Sequence, residues 1–359
     1  MTVRDEAGAD VIDGAVGSSN PAPPPSDGPL PVSTDFTTTD VPAWRQDVHT
    51  PAAEELGLVR PARAVPRHGW RKAVHDMSGG TVNPGESAAD SRARALARRV
   101  NQPSRGAHCI AVLSLKGGVG KTTTTVGLGT MLAASRGDRV VAVDANPDFG
   151  TLDQRGPRQT RSTVRGLLAD RHIVRYSDIR RHTSQNSSRL EILASDRDPA
   201  VSQAFSEVDY RAVHEILDRF YNIILTDCGT GLTHSSIRGV LGTADALVIA
   251  ASTAIDSARS ALATIDWLQH HGYANLVSAV TVVLSSPRPG ATSIDLEQMT
   301  GVFLARGCSV FVIPYDQHLA EGGEISLDLM SRRTRQAFMQ LAAHIADAFV
   351  PRSTHGAAR

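Results

Sequence analysis

The stretch Lys116-Gly117-Gly118-Val119-Gly120-Lys121-Thr122-Thr123 decides how the chain folds. An apolar run precedes it, Cys109-Ile110-Ala111-Val112-Leu113-Ser114, and a helix-like segment from Val126 to Ser135 follows. Strand, glycine loop, lysine, hydroxyls and helix together make a phosphate-binding arrangement. The glycines let backbone N–H groups turn towards phosphate, and the helix start adds its positive end. Lys121 is placed to reach the β- and γ-phosphates of a nucleotide, and Thr122 to offer its hydroxyl to magnesium. A plain glycine turn is the alternative, but it leaves the Gly-Lys-Thr-Thr ending unexplained.

Outward from the loop, strand and helix patterns alternate. Arg139 to Val143 is a short apolar strand ending in Asp144, and Tyr221 to Thr226 is another ending in Asp227. Acids at the C-terminal edges of strands sit where ligands bind in open parallel sheets. Further strands are expected at Leu190 to Ala194, Asp245 to Ala251, Val277 to Leu284 and Ser309 to Ile313. Helices are expected at Thr163 to Ala169, Glu207 to Arg219, Asp256 to His270, Leu296 to Ala305 and Thr334 to Phe349. His172 to Ser188 is polar and reads as a helical or loop excursion. The alternation predicts an α/β fold of three layers, a mostly parallel central sheet flanked by helices.

The chain of 359 residues has a formal net charge of +0, so bulk charge argues for no general nucleic-acid partner. Cys109, Cys228 and Cys308 are far apart, odd in number and without metal spacing, which fits buried thiols in a reducing compartment. The N-terminus lacks an apolar signal core, and the apolar stretch near Ala244 to Ala251 is too short to cross a bilayer. The expected location is cytoplasmic. Residues 1–75 read as a disordered, acidic, Pro-rich arm, either a docking segment or a solubilising tail. Residues 76–106 read as a basic linker with a short helix near Ser91 to Val100. Its arginines suit a solvated face, contact with the acidic arm or an acidic partner, or weak nucleic-acid contact. The nucleotide domain is expected over 107–350, and 351–359 as a flexible tail.

Lys-Gly-Gly-x-Gly-Lys-Thr-Thr resembles the deviant Walker A signature of the MinD/ParA group of P-loop ATPases. The resemblance implies that Gly117, Gly118, Val119, Gly120, Lys121, Thr122 and Thr123 hold ATP. It implies that Lys116 crosses a homodimer interface to the partner's nucleotide, and that Thr122, Asp144 and Asp227 serve Mg²⁺. Asp227-Cys228-Gly229-Thr230-Gly231 takes the place of switch II, with Gly229 near the γ-phosphate. Asp144-Ala145-Asn146-Pro147 takes the place of switch I, where the family pattern is Asp-x-Asp-Pro. Asn146 therefore stands where the family has the acid that helps position attacking water. Asparagine can hold a water but cannot accept its proton at neutral pH. Asp148 is an alternative acid nearby.

Pro314-Tyr315-Asp316 matches the family's base-recognition element through Pro314 and Asp316, whereas Ser285 and Ser286 stand where an asparagine is usual. The adenine pocket is thus matched in part. The cysteine positions do not suit the iron–sulfur relatives.

Within the group the chain is similar to the EspI-like proteins associated with type VII (ESX) secretion. That similarity runs from about Val82 to Phe349 and includes Thr81-Val82-Asn83-Pro84-Gly85, Asp266-Trp267-Leu268 and Glu324-Ile325-Ser326-Leu327-Asp328-Leu329. It implies a dimerising ATPase switch that tunes a protein partner of a secretion or positioning system. The basic amphipathic helix that takes MinD to membranes is missing. Arg332, Arg333 and Arg335 are a faint version of the basic residues with which ParA proteins bind DNA. The other readings are a partitioning protein that binds DNA with ATP, and a nucleotide sensor with negligible turnover.

Overall fold

Continuous apolar runs form the centre of the molecule, because strands covered on both faces have no polar side to alternate with. The computed structural model describes residues 65, 69–104, 106–146, 150–196, 205–286, 288 and 295–349. All belong to the unit running from Arg63 to Arg359. Its strands are β1 (His108–Leu113), β2 (Val140–Ala145), β3 (Ser184–Gln185), β4 (Glu191–Leu193), β5 (Ile223–Cys228), β6 (Ala246–Ser252), β7 (Val280–Ser285) and β8 (Ser309–Ile313). They form one sheet in the order β3-β4-β2-β5-β1-β6-β7-β8. Short β3 pairs antiparallel with β4, and every other neighbouring pair is parallel. The three-layer α/β expectation is met.

Successive side chains of a strand point to opposite faces, so each strand feeds two cores. On one face, Ala111 and Leu113 of β1 join Val213, Leu217, Ile237, Ile265 and Leu268. These come from α6 (Glu207–Asp218), α7 (Ser235–Thr243) and α8 (Ile255–His270), counted after α1 (Gly69–Met77), α2 (Ala88–Val100), α3 (Lys121–Ser135), α4 (Val164–Ala169) and α5 (Tyr176–Arg180). On the other face, Ile110 and Val112 join Val126, Leu128 and Leu132 of α3. Later helices are α9 (Ala274–Val277), α10 (Leu296–Leu304), α11 (Gln317–Ala320) and α12 (Arg332–Ala346). Phe338, Leu341 and Ile345 of α12 and Val100 of α2 complete that second core. A Cβ on Gly127 of α3 would run into the Phe338 ring, so glycine there lets α12 close onto α3.

Four local features differ from the sequence reading. The polar excursion contains α5 and β3. Helix α9 occupies the start of the stretch read as the Val277 to Leu284 strand, and β7 begins only at Val280. Helix α7 was not expected; its small residues Ser235, Ser236 and Gly239 give weak helical periodicity. Helix α1 covers 69–75 of the stretch read as a disordered arm. The rest of that arm except residue 65, the tail 351–359 and Asp148 lie outside the described residues. No helix among the described residues is long and apolar enough to cross a membrane.

Candidate nucleotide-binding site

The loop that leaves β1 is shaped by its own side chains. Ser114 accepts a hydrogen bond from the Lys116 N–H at 3.2 Å and donates its hydroxyl proton to the Lys116 carbonyl at 2.9 Å. Gly118 and Gly120 adopt φ of 73° and 91°, the left-handed region where a side chain is strained. Val119 between them is buried and pins the loop, while Gly117 and Gly118 are exposed. Gly120 is the N-cap of α3, whose first turn carries Lys121, Thr122 and Thr123. Unpaired N–H groups of a helix start therefore face the loop, as phosphate binding requires. A Cβ on Gly120 would lie 3.1 Å from the Ser285 hydroxyl, which places the end of β7 against the loop.

Register brings the two acids together. Asp144 of β2 lies directly opposite Asp227 of β5. Asp227 accepts from the Lys121 ammonium at 2.8 Å, from the Thr122 hydroxyl at 2.6 Å and from Thr125 at 3.3 Å. Burial acts to lower the Lys121 pKa, but the attraction of Asp227 outweighs it, and the net shift is upward. The ammonium stays charged. Asp144 accepts from the N–H groups of Asn146 and Leu152, both at 3.1 Å. Burial, followed by the charge of Asp227, pushes its pKa up to about 7 against those two hydrogen bonds.

Asn146 is thus beside Asp144. Gly229 is buried directly after β5. Lys116 is held by an ion pair with Asp256 in the first turn of α8. Asp256 was not among the residues expected at the site, although it follows β6 closely at the C-terminal edge of a strand next to β1. Thr125 was also missed. Pro314 follows β8, and Asp316 caps α11 through the His318 N–H at 3.1 Å while its other oxygen accepts from the Ser331 N–H at 2.8 Å. Both Asp316 oxygens are thereby engaged by backbone.

Among the described residues no group of three or more His, Cys, Asp or Glu converges as a metal centre. The donors that meet are the Asp227 carboxylate and Thr122 hydroxyl, with Asp144 facing Asp227. Hard oxygens in an incomplete set fit magnesium, which keeps waters and shares phosphate oxygens. The cysteines are free and buried, and burial raises the Cys109 and Cys228 thiols to about 12. Such thiols are inert.

The model of the CobQ/CobB/MinD/ParA nucleotide binding domain matches residues 110–327. The chain belongs to this family. It is 38% identical over 289 residues to the ESX-1 secretion-associated protein EspI of Mycobacterium tuberculosis, covering 80% of this chain and 43% of that protein. The chain thus spans less than half the length of that relative. It is 28% identical over 195 residues to the septum site-determining protein MinD of Synechocystis, covering 54% of this chain and 69% of MinD. The fold is shared with a ParA family ATPase from Chlorobium tepidum, with TM-score 0.57 and 19% identity over 66% of this chain and 98% of that one. It is also shared with the cell division ATPase MinD of Pyrococcus furiosus, with TM-score 0.53 and 23% identity over 66% and 98% of the two chains.

Proposed function

We propose that the chain is an ATP- and Mg²⁺-dependent dimerising switch with slow ATPase activity, acting in the cytoplasm on a partner system such as type VII secretion. The observation that carries this reading is the meeting of Lys121, Thr122 and Asp227, with Asp144 in register beside them. Lys121 and the loop N–H groups of Gly117 to Thr123 bind the phosphates. Pro314 and Asp316 belong to the base end. Magnesium would be held through Thr122, Asp144 and Asp227, and supplies neutralisation of phosphate charge. Lys116 exchanges Asp256 for the nucleotide of a second copy.

Phosphoryl transfer depends mostly on positioning and electrostatics, so Asn146 slows turnover without abolishing it. Similarity to EspI supports the secretion setting. Phosphate release by the pure protein tests the activity. Release that requires Mg²⁺ and falls to background in Lys121→Ala is expected, and release unaffected by that substitution contradicts the reading. Asn146 also favours a second reading, a nucleotide sensor without turnover. ATP binding with no phosphate release above Lys121→Ala identifies it.

A further inference from the structure

A groove lies away from the nucleotide site, between α2 and α12, and none of its lining residues belongs to that site. Arg99 near the end of α2 donates from Nε to Asp347, just past α12, at 3.1 Å. The two helices are thus tied at their C-terminal ends. Their N-terminal halves flank a cavity of about 590 Å³ that the end of α3 closes. Leu96, Met131, Leu327 and Met339 give it an apolar lining, and Arg92, Arg332 and Arg335 stand exposed around it.

Position on the helices organises these residues. Arg332, Arg335 and Met339 follow at helical spacing along α12, and Arg92 and Leu96 do so along α2. Neighbouring arginines of α2 are already satisfied, Arg94 by Glu86 and Arg99 by Asp347. Among the described residues, Arg92, Arg332 and Arg335 form no ion pair, and Arg92 only donates to the Ala88 carbonyl at 3.2 Å. The groove lining contains one acid, Asp328. Helix α2 precedes and α12 follows the segment 110–327 that matches the family model, so both walls lie outside that match.

We propose that this groove docks an acidic amphipathic helix of a partner protein. Apolar side chains at i, i+3, i+4 and i+7 of such a helix cover Leu96, Leu327 and Met339. Its flanking carboxylates pair with the three arginines and set its orientation. Nucleic acid fits less well, because phosphates use the arginines and leave the apolar lining uncovered.

The test uses the full chain without nucleotide and a fluorescein-labelled synthetic helix. The helix carries leucines at i, i+3, i+4 and i+7 and glutamates elsewhere; its twin carries lysines in place of the glutamates. Anisotropy is expected to show the acidic helix binding at least about ten-fold tighter than its twin. The doubly substituted Arg332→Glu/Arg335→Glu protein weakens it by a similar factor, and Met339→Gln weakens both apolar contact and affinity. Circular dichroism and ATP binding of these variants stay as in the parent. Equal binding of the two helices, no binding of the acidic one, or indifference to the arginine substitutions overturns the proposal. So does binding of a 30-base-pair duplex that the arginine substitutions abolish while the acidic helix is not bound.

Discussion

The Asp227 carboxylate lies 2.8 Å from the Lys121 ammonium, and both side chains are buried, 2% and 9% exposed. The pair ties the end of β5 to the start of α3. Removing one partner of a buried pair leaves the other charge uncompensated, which costs about 3–5 kcal/mol. Asp227→Ala is therefore expected to lower unfolding free energy in urea by that order and to abolish Mg²⁺-dependent nucleotide binding. A loss well under about 1 kcal/mol would show that the pair is not engaged in solution.

Gly150 has no room for a side chain. A Cβ there would overlap the Asp144 carboxylate and the Ser195 hydroxyl. Gly150→Ala is expected to displace Asp144 from its place opposite Asp227 while the hydrophobic layers stay packed. The measurement is the Mg²⁺ dependence of nucleotide affinity. It should weaken by about ten-fold or more, which corresponds to about 1.4 kcal/mol, with a near-native far-UV spectrum.

Gly127 and Phe338 form a knob and hole between α3 and α12. Gly127→Ala overpacks the contact and is expected to cost about 1–3 kcal/mol. Phe338→Ala empties it and is expected to cost about 3–5 kcal/mol. In the double variant the added methyl finds the vacated space, so the combined cost in urea unfolding falls short of the sum.

Much of the candidate nucleotide site was legible because its chemistry is local in sequence. The glycines, Lys121 and Thr122 occupy one loop, and Asp144 and Asp227 each end an apolar run. Their meeting depends on β5 inserting between β2 and β1, which no local pattern announces. The partner of Lys116 was illegible for the same reason, since Asp256 lies 140 residues along the chain. Small residues hid α7. Helix α9 was absorbed into a strand because Val277 is as apolar as the strand that follows. The groove beside α2 was visible only as a run of arginines; its apolar lining comes from α3 and α12, far away in sequence.

His108 at the start of β1 is 8% exposed, and its Nε2 has no hydrogen-bond partner. Burial lowers its pKa, with Asp245 opposing. A histidine kept neutral in the folded state binds fewer protons than in the unfolded state below its ordinary value of about 6.5. Its contribution is present above that pH and is lost as the pH falls towards the depressed value. Asp144, raised to about 7, gains stability over the same range, so the histidine is read by difference: from pH 6.5 to 5 the parent should lose stability relative to His108→Gln in urea unfolding. An unchanged slope contradicts the assignment.

Lys116, paired with Asp256, carries the central claim that ATP joins two copies of this chain. Light scattering of the pure protein with Mg²⁺ and either ATP or ADP measures it directly. A dimer is expected with ATP, a monomer with ADP, and a monomer for Lys116→Ala under both. A mass that ignores nucleotide, or a Lys116→Ala protein that still dimerises with ATP, contradicts it.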